Sequence, residues 1–535
     1  RPDYEGIEMG IAEKTIIRII SQISNISSDK VHHKYREIGD LGSVAETILR
    51  TKVQKTLFSA SVTIERIYFV FDRISKTAGK GSQETKLKLL ASLFNDSSPE
   101  ECKYVISFAL GTLRLGIADS TIMDALALAY TDDKKNRKIL ESAYNVSSDL
   151  GRVSKILSRD GIDAVSAIKI ELFIPIRPML AERVKTSKEA LEKVSGRGAA
   201  EYKLDGERVQ IHRKGTEVQI FSRSLENISH YYPDVAEASR SISLRDFIIE
   251  AEVVAVDKYT REFLPFQELM HRRRKYDITR NVENYPVSIN VFDILRATGR
   301  DKTILPYMER RNLLKNVVTN SVDTRITLIQ QKIVTSEEQL EKFMAKSIQY
   351  GCEGIVLKHT NSPYRAGARG FAWIKIKREY RSELVDSLDL VVVGGSYGRG
   401  RRVGRYGALL LAVYDKNENA FKSICKVGSG FTDENLSELF KVLGKYTILK
   451  KHARVYSKLE MDTWFTPTVV IEIIASEITL SPDYDAGMDS IRKGFGLSLR
   501  FPKFTNKIRF DKNPQDITDE SELVDLYRKQ RNIKL

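Results

Sequence analysis

The chain has 535 residues, 42% hydrophobic and 29% charged, which describes a globular protein too long for one core and suggests three or four domains. Lysines and arginines number 86 against 71 acids, and the resulting +15 suits a polyanionic partner, of which nucleic acid is the commonest. No run of eighteen apolar residues is present, which excludes a helical membrane span, and the three cysteines (Cys102, Cys352, Cys425) are too scattered for a zinc site or a disulfide framework, as expected of a reducing cytoplasm.

The chain opens Arg1-Pro2, without a basic-then-apolar leader, and the missing methionine leads us to expect residues removed ahead of it. Residues 1–173 read as helices. Ser98-Pro99-Glu100-Glu101 is a helix start, with a capping serine, proline in the first turn and glutamate three places after the cap. Leu87, Leu90 and Phe94 keep helical spacing, as do Ile122, Leu126 and Tyr130. Glycine-bearing joints at 39–42, 79–82 and 111–116 would present backbone N–H groups and helix N-termini to phosphates, or serve as plain loops. Pro175-Ile176-Arg177-Pro178 cannot continue a helix and marks a domain boundary.

Strands follow. Glu201 to Lys203 ends a short apolar strand, Asp205-Gly206 turns, and Val209–Arg213 and Glu217–Ser222 alternate on either side of Lys214-Gly215 as a hairpin. Lys203 and Asp205 point to the same side, and Gly206 is expected to let backbone approach a ligand. Phe247–Val256 carries Glu250 and Glu252 on one face; Val287–Ile294 and Glu353–Lys358 are further strands. Phe371–Lys377 puts Trp373, Lys375 and Lys377 on one face and Ile374 and Ile376 on the other. From about Leu384 short strands (390–395, 407–414, 469–474) alternate with a basic glycine loop, Ser396–Arg405, as in a small barrel.

Charged groups on apolar strands are costly unless paired or liganded. Lys203, Glu252, Lys358, Lys375 and Lys377 together are best explained by a shared polar cavity for a phosphate-rich ligand and a metal. No Walker phosphate loop or dinucleotide fingerprint is present.

Lys203-Leu204-Asp205-Gly206-Glu207-Arg208 resembles motif I of the covalent nucleotidyltransferases. Glu250-Ala251-Glu252 resembles motif III, Val291-Phe292-Asp293 motif IIIa, Glu353–Lys358 motif IV, Trp373–Lys377 motif V, and Leu499-Arg500-Phe501-Pro502-Lys503-Phe504 motif VI, all in the family's order. Within that superfamily the chain is most similar to the archaeal-type ATP-dependent DNA ligases. RNA ligases and capping guanylyltransferases share the lysine motif, and the helical third before Pro175 sets the chain apart from them. Two departures stand out: Ala251 replaces the usual glycine, and Lys503 stands where a second arginine is common, which keeps the charge and loses bidentate phosphate geometry.

The resemblance implies a multi-domain α+β protein: a helical DNA-binding domain over 1–173, an α+β adenylation domain of mainly antiparallel sheets over 174–383, and a β-barrel OB-fold domain over 384–535. It implies sealing of nicks in duplex DNA, in replication, repair and recombination. Lys203 would attack ATP and carry AMP. Glu201, Arg208, Arg223, Glu252, Phe292, Arg369 and Lys375 would bind the nucleotide, Phe292 by stacking on adenine. Glu252 and Glu353 would hold Mg²⁺. Lys375, Lys377 and bound Mg²⁺ would depress the pKa of Lys203, with Lys358 in the same cavity, while Arg500 and Lys503 would orient the leaving pyrophosphate. Arg399, Arg401 and Arg402 would meet phosphates of nicked duplex DNA. Gln54, Leu57 and Phe58 resemble a shortened peptide that binds a ring-shaped sliding clamp of the PCNA type, with two apolar anchors and a glutamine at the pocket edge. The protein is expected to be a monomer.

Overall fold

The computed structural model describes residues 2–5, 9–51, 62–79, 81–113, 116–264, 266–273, 278–319, 321, 323–377, 387–399 and 402–530. Gln54, Leu57, Phe58 and Arg401 lie outside the described residues, as does the side chain of Arg369.

The helical third runs α1 (Glu13–Ser24), α2 (Ser28–Ile38), α3 (Leu41–Arg50), α4 (Ile64–Lys76), α5 (Ser82–Asp96), α6 (Pro99–Ala109), α7 (Asp119–Thr131), α8 (Arg137–Ser147) and α9 (Leu150–Ser166). α6 starts on the expected capping box, Ser98 accepting from the Glu101 N–H and the Glu101 carboxylate accepting from the Ser98 N–H. Leu87, Leu90 and Phe94 are buried on α5. α7 differs from its spacing: Ile122 and Tyr130 are 41% and 54% exposed, and the helix buries Met123 and Ala127 instead.

The chain packs into two compact units, one of Arg1–Ile7 and Gly116–Arg381, the other of Glu8–Leu115 and Ser382–Leu535. The first unit holds α7 to α9 and two sheets. One sheet has the order β1-β11-β10-β2-β9, from β1 (Leu180–Arg183), β2 (Gly198–Lys203), β9 (Gln331–Val334), β10 (Gly354–His359) and β11 (Arg369–Lys377). The other has the order β4-β3-β5-β6-β7, from β3 (Glu207–Lys214), β4 (Glu217–Ser222), β5 (Asp246–Ala255), β6 (Val287–Ala297) and β7 (Arg300–Asp301), with β8 (Ile326–Leu328) beside β6. Pairing is antiparallel except at β1–β11 and β6–β8. A core containing Tyr202, Leu204, Val254, Phe292 and Trp373 draws on both sheets.

At Gly206 a Cβ would stand 2.4 Å from the Val253 carbonyl oxygen, so the glycine lets the β2–β3 turn close onto β5. Gly354 opens β10 at φ 151°, where a Cβ would strike the Ile376 carbonyl.

The second unit combines α1 to α6 with the C-terminal strands β12 (Leu388–Tyr397), β13 (Tyr406–Asp415), β14 (Ala420–Val427), β15 (Thr447–Ile448), β16 (Val455–Tyr456), β17 (Thr463–Phe465), β18 (Val470–Ile474), β19 (Glu477–Ser481), β20 (Gly496–Arg500) and β21 (Lys503–Ile508). β12, β13 and β14 form an antiparallel meander, β18 joins β12 to β21, and β19–β20 is a separate hairpin. Among the described residues no helix is long and apolar enough to cross a membrane. All three cysteines are buried and free.

Candidate active site

Strand alternation places the charges. On β2, Glu201 and Lys203 share a face two residues apart, and both line a cavity to which the two sheets contribute. Arg208 of β3, Glu252 of β5, Phe292 of β6, Lys358 of β10, Trp373 and Lys375 of β11, and Arg223 just after β4 line the same space, with Leu180 and Ala181 of β1 as an apolar wall. Eight of the residues nominated from sequence therefore meet around one cavity.

The Lys203 ammonium pairs with Glu353 at 2.5 Å, and Lys377 reaches the same carboxylate oxygen at 3.0 Å. Register explains this: Lys203 and Lys377 both oppose Gly354, the residue after Glu353, across the strands flanking β10. Burial pulls the Lys203 amine down, but Glu353 and Glu252 outweigh it and hold the amine above its ordinary value. Of the lysines expected, together with Mg²⁺, to depress this pKa, Lys377 is instead engaged by Glu353. Glu353 itself is opposed by burial yet held down at about 2 by the two lysines. Burial pushes the Glu252 carboxyl up to about 7 against the pull of Lys203 and Arg208.

At another part of the cavity the Lys358 ammonium pairs with Glu201 at 2.7 Å, both side chains 2% exposed. Three aromatic rings surround Lys358, with its Nζ 4.2 Å from the Trp373 centroid and 4.8 Å from those of Phe292 and Tyr307. Burial lowers the Lys358 amine against the pull of Glu201. Glu201 also accepts from the Tyr307 hydroxyl and from Gln331 Nε2 at 3.3 Å, with Arg311 3.6 Å away. Tyr307, Arg311 and Gln331 lie outside every motif read from the sequence. The one available signal was Arg310-Arg311 on a half-apolar helix, Tyr307–Thr319, where Arg310 is fully buried against Asp293 at 2.7 Å.

Arg208 Nη2 donates to both oxygens of the buried Glu250 at 2.9 Å, and Nη1 donates to the Met179 carbonyl at 2.7 Å. Burial alone would lower this guanidinium; Glu250 more than offsets that and raises it. The two motif III acids so divide their work: Glu250 faces Arg208, and Glu252 faces the cavity. No group of three His, Cys, Asp or Glu side chains able to cage a metal occurs among the described residues. Glu252, a half-buried carboxylate lining the cavity, nonetheless suits Mg²⁺, which is ordinarily held by one or two carboxylates together with substrate phosphates.

Arg369 opens β11 in the first unit, and the remaining nominated residues belong to the second unit. Arg500 pairs with Glu477 at 2.6 Å and lies over the Phe501 ring, while Lys503 is exposed at the start of β21. Arg399 pairs with Glu13 of α1 and covers the Tyr35 ring. Arg402 donates to the Gly407 and Gly428 carbonyls at 3.2 and 2.8 Å, which ties its loop to β13 and the end of β14.

Comparison with known proteins agrees with this geometry. Residues 178–377 match the ATP dependent DNA ligase domain, 1–127 the DNA ligase N terminus and 402–512 the ATP dependent DNA ligase C terminal region. The chain is 52% identical to a DNA ligase of Nitrosopumilus maritimus (strain SCM1) and 51% identical to one of Cenarchaeum symbiosum (strain A). Each match covers 100% of this chain and 90% of the relative. A solved structure described as "Pmar-Lig_Pre." shares the fold at a TM-score of 0.55 and 18% identity, over 92% of this chain and 99% of that one. With relatives this similar over its whole length, and with that domain series in order, the chain belongs to the ATP-dependent DNA ligase family.

Proposed function

We propose that the protein seals single-strand nicks in duplex DNA in three steps, with Lys203 as the nucleophile. Lys203 sheds its proton and its nitrogen bonds to the α-phosphorus of ATP as the bond to pyrophosphate breaks, leaving a lysyl-AMP phosphoramidate. AMP passes to the 5′-phosphate at the nick, and the adjacent 3′-hydroxyl then displaces AMP to close the strand. The observation that carries this reading is the convergence of Lys203, Lys375, Arg208, Arg223 and Glu252 on one cavity beside an aromatic pocket.

Phe292 and Trp373 provide the flat apolar surface for the base, and Glu201 with Lys358 its polar edge. Arg208, Arg223, Arg369 and Lys375 take the ribose and phosphates, and Lys377 holds Glu353 beside the nucleophile. Glu252, with Glu353 as the second carboxylate, would hold Mg²⁺, which supplies neutralisation of phosphate charge when bound. Arg500 and Lys503 orient the leaving pyrophosphate.

The functional domains run 1–173, 174–383 and 384–535, the last read as an oligonucleotide-binding barrel from the β12–β14 meander extended through β18 to β21. Arg399, Arg401 and Arg402 contact DNA phosphates. The protein acts as a cytoplasmic monomer. A sliding-clamp contact at Gln54, Leu57 and Phe58 rests on their sequence resemblance; the double variant Leu57→Ala, Phe58→Ala should lose clamp-stimulated sealing and retain clamp-independent sealing.

The function is tested with a labelled duplex carrying one nick with a 5′-phosphate. Sealing should occur with ATP and Mg²⁺ on nicked DNA and fall by about a hundredfold or more with GTP or with a nicked RNA duplex. Equal sealing of RNA, or equal use of GTP, would place the chain with the other nucleotidyltransferases.

A further inference from the structure

Between α9 and β1 the chain crosses from helices to sheets through residues 167–179, and the face of β3 that carries Arg208 grips this crossing at three successive alternate positions. Arg208 Nη1 donates to the Met179 carbonyl at 2.7 Å. Two residues on, the Gln210 amide makes a pair of bonds to one residue: its Oε1 accepts from the Ile176 N–H at 2.9 Å and its Nε2 donates to the Ile176 carbonyl at 2.5 Å. Two further on, His212 Nδ1 accepts from the Phe173 N–H at 3.0 Å. Because Nδ1 accepts, the ring proton lies on Nε2, which faces Gln210 Oε1 at 3.4 Å and fixes which way the amide points. Gln210 and His212 are 4% and 0% exposed.

The gripped segment carries strain that needs such anchors. Phe173 has φ 68°, an unfavourable conformation for a large side chain. It is also the segment that delivers the cavity wall. Met179 is held on its other side by the Tyr364 hydroxyl, which accepts from the Met179 N–H at 2.9 Å, and the next residues, Leu180 and Ala181, line the cavity. From the helical side, Ser148 Oγ donates to the Pro175 carbonyl at 2.6 Å and the Asn145 carbonyl accepts from the Arg177 N–H at 2.8 Å. The crossing is therefore fixed at one side by α8 and the residue after it and at the other by β3, and its end is part of the site.

We propose that Gln210 and His212 are positioning residues for nucleotide capture: they seat residues 173–179 so that Arg208 and the Leu180–Ala181 wall stand where ATP binds. Neither side chain lines the cavity. Each acts through the segment it holds, and a slip of that segment withdraws the wall and takes the Met179 carbonyl from Arg208. This rests on the cavity being the ATP site of the adenylation step.

Gln210→Leu removes both bonds to Ile176, and a long 3.5 Å bond from Nε2 to Glu250, at nearly constant volume. In the full-length protein the KM for ATP in self-adenylation should rise about tenfold, as expected for one lost buried bond pair, while kcat changes by less than about twofold. Sealing of a pre-adenylated nick, which needs no ATP capture, should stay within about twofold of wild type. His212→Leu should act in the same direction, and His212→Asn, whose side-chain oxygen can accept in place of Nδ1, should keep KM within about threefold of wild type. If Gln210→Leu does not fold, the two His212 variants decide on the same readouts. An unshifted KM with a lowered melting temperature would reduce both residues to structural supports and overturn the inference. Failure of the wild-type protein to take up AMP would instead overturn the functional reading beneath it.

Discussion

Lys203 lies between opposed influences. Burial favours the neutral amine, the form that attacks phosphorus, while Glu353 at 2.5 Å and Glu252 favour the ammonium and prevail. The sequence showed an amine at a strand end among other cations, but which charge stands nearest depends on the register of β10 between β2 and β11. The role assigned to this residue makes a divided prediction. Lys203→Ala should abolish ATP-dependent sealing, a loss of about a thousandfold or more, because the first bond can no longer form. It should seal a pre-adenylated nick within about tenfold of wild type, since the last step joins the 3′-hydroxyl to an activated phosphate without the amine. Gel analysis of the two substrates side by side measures both, and ATP-dependent sealing by the variant would contradict the role.

β3 shows how one element serves two purposes. Val209 and Ile211 enter the core of the β3–β5–β6 sheet, and Arg208, Gln210 and His212 face the crossing segment. His212 makes this element pH-sensitive. Burial, aided by Arg296, pushes its imidazole from 6.5 to about 3, so the unfolded chain binds a proton that the folded strand refuses. Stability from this source is complete above pH 6.5 and is lost as the pH falls toward 3, at about 1.4 kcal/mol per pH unit. Denaturation of the unit that contains β3, at pH 7 and pH 5, should show a difference that shrinks by about 2 kcal/mol in His212→Asn. An unchanged difference would mean that His212 is protonated in the fold. The alternating strand was legible from Val209–Arg213; its partner was not, because nothing near β3 in the sequence announces residues 173–179. Gly206 illustrates the same limit: its need for space was legible, but the Val253 carbonyl that claims the space lies 47 residues along the chain. α7 fails differently. Its spacing marks a helix correctly, yet Met123 and Ala127 and not Ile122 and Tyr130 face its neighbours, since both of its faces carry apolar residues.

Across the whole molecule, the motif order was legible because each motif is a strand end or turn whose residue types its chemistry restricts. The ring of donors around Glu201 was not, since Tyr307, Arg311 and Gln331 come from a helix and a strand more than a hundred residues away. The +15 charge belongs to this scale as well. A protein that grips the backbone of a nicked duplex and reads no bases should bind with little sequence preference. If six to ten phosphates are neutralised, affinity should fall by about a thousandfold or more between 50 and 200 mM salt. Fluorescence anisotropy on nicked duplexes of different sequence measures both, and salt-insensitive or sequence-selective binding would contradict backbone recognition.

Everything in the proposed reaction depends on Lys203 becoming covalently bound to AMP. Intact-mass spectrometry after mixing the protein with ATP and Mg²⁺, followed by peptide mapping, tests it most directly. A mass gain of one AMP is expected, located on the peptide bearing Lys203, stable in base, labile in acid as a phosphoramidate, and absent from Lys203→Ala. No gain in the wild-type protein, or an AMP carried on another residue and retained in the variant, would contradict it.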